Sequence, residues 1–238
     1  MNGHAVLAGI EADAAALAAS LGSLRPADFA RPTPCAAWDV AHLVAHLYRD
    51  FERVPEALAA RTTEPADTDW LSYWSYDRPT NQVQTQDRAG QILARFETPS
   101  ALVRALAELL ADALGAARAA IGVTGTGSRG QDRGPVGNVR LPWGPVIAFD
   151  DFLQTRWVGL AVHSLDMADA LGTRHSVSPE GLRFTAHTLD GLAGQPLSTA
   201  RAWPAEDYIR VGTGRRELTG EEAAQLGPAM TARFPLLA

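Results

Sequence analysis

Arg156-Trp157-Val158-Gly159-Leu160-Ala161-Val162-His163-Ser164-Leu165-Asp166-Met167-Ala168-Asp169-Ala170-Leu171-Gly172 reads as the larger part of a helix that opens near Asp150. Apolar residues recur three and four apart, and Gly172 is the residue type that most readily ends a helix. His163 and Asp166 are three apart, so they share one helix face. A lone histidine in such a run is more often a hydrogen-bonded core residue than a ligand. Its meaning depends on what the rest of the chain brings to that face.

Working outward, a second helix carries Trp38-Asp39-Val40-Ala41-His42-Leu43-Val44-Ala45-His46-Leu47 and runs to about Arg53. Asp39 is placed to cap its first turn, and His42 and His46 lie one turn apart on one face. Two further Ala/Leu-rich amphipathic stretches, Val6 to Leu21 and Pro99 to Ile121, complete four helices. Residues 61–90 read as polar and irregular, with an aromatic knot at Trp70, Tyr73, Trp74 and Tyr76. Gly122 to Gly137 reads as a glycine-rich surface loop. Four such helices with long connections predict a four-helix bundle over residues 1–174. Beyond it, Pro179, Gly181, Gly191, Gly194 and Pro196 cut the chain into short pieces, and Tyr208-Ile209-Arg210-Val211 alternates like a strand. Residues 175–238 are therefore expected to form a small α+β C-terminal domain.

Composition narrows the function classes. The formal net charge of -6 argues against a nucleic-acid surface. All 21 basic residues are Arg, a bias that suits a GC-rich, actinobacterial coding style. The one cysteine, Cys35, excludes an internal disulfide framework and any thiolate-based zinc cage, and it reads as a small packing residue, with a nucleophilic role as the alternative. No uninterrupted apolar run reaches the roughly 20 residues that span a bilayer. The first residues lack a basic start followed by an apolar run, so a cytoplasmic protein without membrane partners is the expectation.

Four pieces together resemble the mycothiol-dependent maleylpyruvate isomerase family of the DinB-like superfamily. They are Pro32-Thr33-Pro34-Cys35-Ala36-Ala37-Trp38-Asp39-Val40 with His46-Leu47; Leu141-Pro142-Trp143-Gly144; His163 to Gly172; and Gly212-Thr213-Gly214-Arg215 with Leu218-Thr219, Leu226-Gly227 and Arg233-Phe234-Pro235-Leu236-Leu237. The resemblance implies a mainly α fold: a DinB-like four-helix bundle followed by the small α+β domain. It also implies a divalent metal, usually zinc, and the low-molecular-weight thiol mycothiol as cofactor. A nearby dication favours the ionised sulfur, which is the reactive nucleophile. Such a protein would act as an isomerase or thiol transferase on a small electrophilic or unsaturated metabolite.

Carried over residue by residue, the resemblance makes His46 and His163 metal ligands. The third ligand, a Glu in the family, falls at Gly159, which has no side chain. Three readings remain open: His42 swings in, Asp166 is recruited, or the metal is lost and the space reused. The last would leave a metal-free small-molecule enzyme of a biosynthetic pathway, or a non-catalytic small-ligand-binding bundle. Arg215 resembles a substrate- or cofactor-binding arginine, suited to a carboxylate through a two-pronged contact; a salt bridge to the bundle is the plainer alternative.

Overall fold

Asn2 opens the first helix by accepting a bond from the Ala5 amide, and α1 then runs Gly3–Gly22. Asp39 does the same for α2 (Val40–Ala59), accepting from the His42 amide. The remaining long helices are α3 (Arg78–Leu93), α4 (Pro99–Gly122) and α5 (Phe149–Leu171). Asp150 and Asp151 in the first turn of α5 suit its positive end, and Gly172 closes it in the left-handed conformation at φ 65°. The structure, a computed structural model, describes residues 2–75, 78–122, 136–200 and 203–237. Tyr76 and most of the expected glycine-rich loop lie outside these residues.

Helices α1, α2, α4 and α5 pack as the expected bundle, with α6 (Pro179–Ala193) laid against α5 and α3 along α2. The fold is mainly α. Helix α2 continues past Arg53 to Ala59 with Pro55 inside it, because Val54 and Ala57 are buried on the same face and hold the last turn in place. The polar segment after it contains α3, anchored by buried Ala89 and Ile92. Helix α1 is long and apolar enough, by length and composition, to cross a membrane. In this fold it packs against α4, α5 and α6, and its buried Asp13 accepts a bond of 2.7 Å from Trp157 Nε1. Gly9 lets the Trp157 ring lie directly on α1, since a Cβ there would overlap the indole.

The sheet is small and antiparallel, in the order β1 (Arg61–Thr62), β2 (Asn138–Arg140), β3 (Val146–Ala148), with Val139 paired to both Arg61 and Ile147. It lies ahead of α5, not in the C-terminal part. There the chain forms α6 (Pro179–Ala193), α7 (Leu197–Ala200), α8 (Ala205–Gly212), α9 (Gly220–Leu226) and α10 (Pro228–Thr231).

The strand expected at Tyr208–Val211 is helix α8. Short apolar runs do not separate the two periods, and packing decides. Tyr208 is fully buried with its hydroxyl 3.1 Å from Asp190 on α6, while Glu206 and Asp207 begin the helix and Arg210 ends it.

Candidate active site

Helices α2 and α5 bring His46 and His163 together, with ring centroids 4.8 Å apart and planes at 87°. Trp38 covers His46 from the loop before α2, centroid to centroid 4.9 Å. One turn beyond His46, Asp50 places Oδ2 3.6 Å from His46 Nε2. The same oxygen would lie 3.4 Å from a Cβ built on Gly159. The carboxylate facing position 159 therefore comes from the opposite helix.

That carboxylate is claimed by cations. Arg156 Nη1 stands 3.0 Å from Asp50 Oδ1, and Arg53 Nη1 stands 3.6 Å from it. Arg156 is only 2 % exposed along its side chain, donates to the Tyr73 hydroxyl at 2.6 Å and lies over the Phe152 and Tyr73 rings. Burial works to raise the Asp50 carboxyl, but Arg156, His46 and Arg53 overcome it and hold the group well below the usual carboxylate range. Burial likewise pushes His46 down to about 3, against the pull of Asp50, so its imidazole is neutral at pH 7.

The second half of the site is built on Asp166. Its Oδ2 accepts from His163 Nδ1 at 3.0 Å and from Cys35 Sγ at 3.1 Å. Arg215 donates through Nε to Oδ1 at 3.1 Å and through Nη2 to Oδ2 at 3.2 Å; Nη2 also lies 3.3 Å from Cys35 Sγ. The Thr213 carbonyl and the turn at Gly214, φ 73°, aim that guanidinium inward. Cys35 sits on a tight loop closed by Thr33, whose amide donates to the Trp38 carbonyl, and Ala37 takes φ 66°. Burial would lower the His163 pKa, but the bonds to Asp166 and Cys35 hold it up at about 9, so it is a cation at neutral pH. Burial works to raise the Asp166 carboxyl, and His163 and Arg215 more than offset this, leaving it depressed.

The family described as the mycothiol maleylpyruvate isomerase N-terminal domain matches residues 10–168, most of the chain. The chain belongs to this family. Among solved structures, one described as the crystal structure of the mycothiol-dependent maleylpyruvate isomerase shares its fold with a TM-score of 0.53. Identity to it is 15%, with 84% of this chain and 72% of that chain covered. A search of curated protein sequences finds no match.

Of the residues singled out from the sequence, His46, His163, Asp166 and Arg215 meet in one place. His42 does not join them; its Nδ1 bonds to the capping Asp39 at 2.7 Å. Sequence reasoning missed Asp50, Arg53 and Arg156; it placed Tyr73 in an aromatic cluster and read Cys35 chiefly as a packing residue. A signal was available: Asp50 follows His46 by one turn, and Arg156 precedes Gly159 by three residues on a largely apolar helix.

A divalent metal held by His46, His163 and a group at position 159 does not fit these residues. Position 159 offers no donor. The carboxylate that fills the space faces two guanidiniums. Adding a dication beside two buried cations would oppose binding, because like charges repel strongly away from water.

Proposed function

We propose that this family member assists a rearrangement or transfer on a small unsaturated, carboxylate-bearing electrophile, with a low-molecular-weight thiol of the mycothiol type as nucleophile. The observation that carries the reading is the charge imbalance at the junction of α2, α5 and the Arg215 turn. Among the described residues, the carboxylates that Arg53, Arg156, Arg215 and protonated His163 face are Asp50 and Asp166. The name of the structural neighbour supports the thiol.

The chemistry follows from that imbalance. A buried excess of cations favours the ionised over the neutral form of an entering thiol. It also favours a substrate carboxylate, which a guanidinium holds in two prongs. When the thiolate adds to a conjugated carbon, the electron pair moves onto the carbonyl oxygen, and the same cations stabilise that oxyanion. The former double bond is now single and rotates. Return of the electron pair expels the thiolate and leaves the isomer. Trapping of the adduct by a proton would instead give thiol addition. His46, neutral and covered by Trp38, can accept a hydrogen bond from the incoming thiol without adding charge.

The test uses the full chain with mycothiol and an unsaturated keto acid, following loss of the conjugated absorbance. Turnover should require the thiol and fall at least about 10-fold in Arg156→Met. Equal turnover without thiol would reject the reading. The same cation excess would also serve a non-catalytic carboxylate-binding bundle. Saturable binding of the acid with no turnover, with or without thiol, would favour that second reading.

A further inference from the structure

Three donors of different chemistry converge beside the expected metal position. Cys35 Sγ, His163 Nδ1 and Asp166 Oδ2 all lie within 4.8 Å of one another. Two of the separations, both to Oδ2, are 3.1 and 3.0 Å. Tetrahedral zinc takes sulfur at about 2.3 Å and nitrogen or oxygen at about 2.0–2.2 Å, so its ligands stand somewhat over 3 Å apart. His163 and Asp166 are buried and Cys35 is half-buried.

Charge separates this trio from the neighbouring His46 side. Around Asp50, two guanidiniums outnumber one carboxylate. Around Asp166, once His163 has given up its proton, a cysteine thiolate and a carboxylate would outnumber the single Arg215 guanidinium. Arg215 bonds Asp166 Oδ1 through Nε, and its Nη2, 3.2 Å from Oδ2 and 3.3 Å from Cys35 Sγ, has to withdraw from both for an ion to enter while Nε keeps Oδ1. It thereby orients the carboxylate as outer-shell partners of metal ligands do. A mixed sulfur, nitrogen and oxygen set suits zinc better than magnesium or calcium.

We propose that Cys35, His163 and Asp166 form a zinc-type site, displaced about one turn along α5 from the place where the family resemblance puts it. The chelating pair on that helix moves from positions 159 and 163 to positions 163 and 166. A loop cysteine then replaces a histidine of α2. Filling the site releases the protons of the thiol and of His163, so affinity rises with pH. The proposal does not depend on the thiol reaction above, because it is read from binding alone.

The experiment is a cobalt(II) titration of the chelator-stripped full chain at mildly alkaline pH, followed by displacement with zinc. A thiolate ligand gives cobalt a sulfur-to-metal charge-transfer band in the near ultraviolet, which histidine and carboxylate ligands do not. One equivalent of cobalt should produce the band. Cys35→Ala should abolish it and weaken binding at least about 10-fold, Asp166→Asn should weaken binding similarly, and His46→Ala should retain both band and affinity. Circular dichroism melts of each variant separate lost binding from lost folding. Absence of the band in the wild-type chain overturns the proposal. So does cobalt binding that survives Cys35→Ala but is lost in folded His46→Ala.

Discussion

Gly159 and Asp50 face each other across α5 and α2. A helix-interior glycine ordinarily costs roughly 0.5–1 kcal/mol relative to alanine, and here it faces a carboxylate oxygen 3.4 Å from the Cβ it lacks. Gly159→Glu would drive a second carboxylate against Asp50, and the expected loss is about 2 kcal/mol in denaturant unfolding. Combining it with Asp50→Asn should recover part of that loss, because the incoming glutamate can then pair with Arg156. Simple additivity of the two changes would show that the residues do not oppose each other. At this scale the sequence was legible only where partners are near in the chain. His163 and Asp166 declare themselves by their spacing. Asp50 and Arg156 meet across two helices, so neither stretch alone announces the pair.

At the scale of elements, α2 and α5 are joined through two histidines that titrate in opposite directions. His163 is raised from 6.5 to about 9, so the folded state holds its proton longer than the unfolded chain. Its contribution is complete below pH 6.5 and is lost as pH rises through about 9. His46 is lowered from 6.5 to about 3, so the unfolded chain takes up that proton first. Its contribution is complete above pH 6.5 and is lost as pH falls toward 3. In chelator-stripped protein the two histidines should therefore place a stability maximum near pH 6.5, measured as the denaturant midpoint across pH. His163→Gln should flatten the alkaline limb and His46→Gln the acid limb; an alkaline limb unchanged by His163→Gln would contradict the assignment. The helices themselves were readable from apolar spacing and caps. Helix α8 was not, since its eight residues carry too few turns to show a period and Asp190, its anchor, lies on α6.

Across the whole molecule, the C-terminal helices complete the bundle. Trp157 stacks on Phe184 of α6 at 5.0 Å and 14°, while Asp13 bonds Trp157 with one oxygen and the Ser178 amide with the other. Arg215 reaches back to Asp166 from beyond α8. We propose that the boundary expected near residue 174 marks a change of architecture without separating two units that fold alone. Residues 1–174 by themselves should show no cooperative thermal transition, with Trp157 fluorescence shifted to the red. A sharp transition in that fragment would contradict the proposal. The bundle was legible because each of its four long helices carries recurring apolar residues along its length. The C-terminal contribution was not, because a short segment broken by glycine and proline says little about the surface it covers.

Cys35 stands on a half-buried loop against Asp166 and Arg215, and the chain has no other sulfhydryl. A thiol-selective alkylating tag must therefore report from this one spot. Its labelling rate, followed by intact mass, would report what lies beside Asp166 and Arg215 without any engineered probe, and protection by a candidate ligand would identify compounds that bind there before their reaction is known.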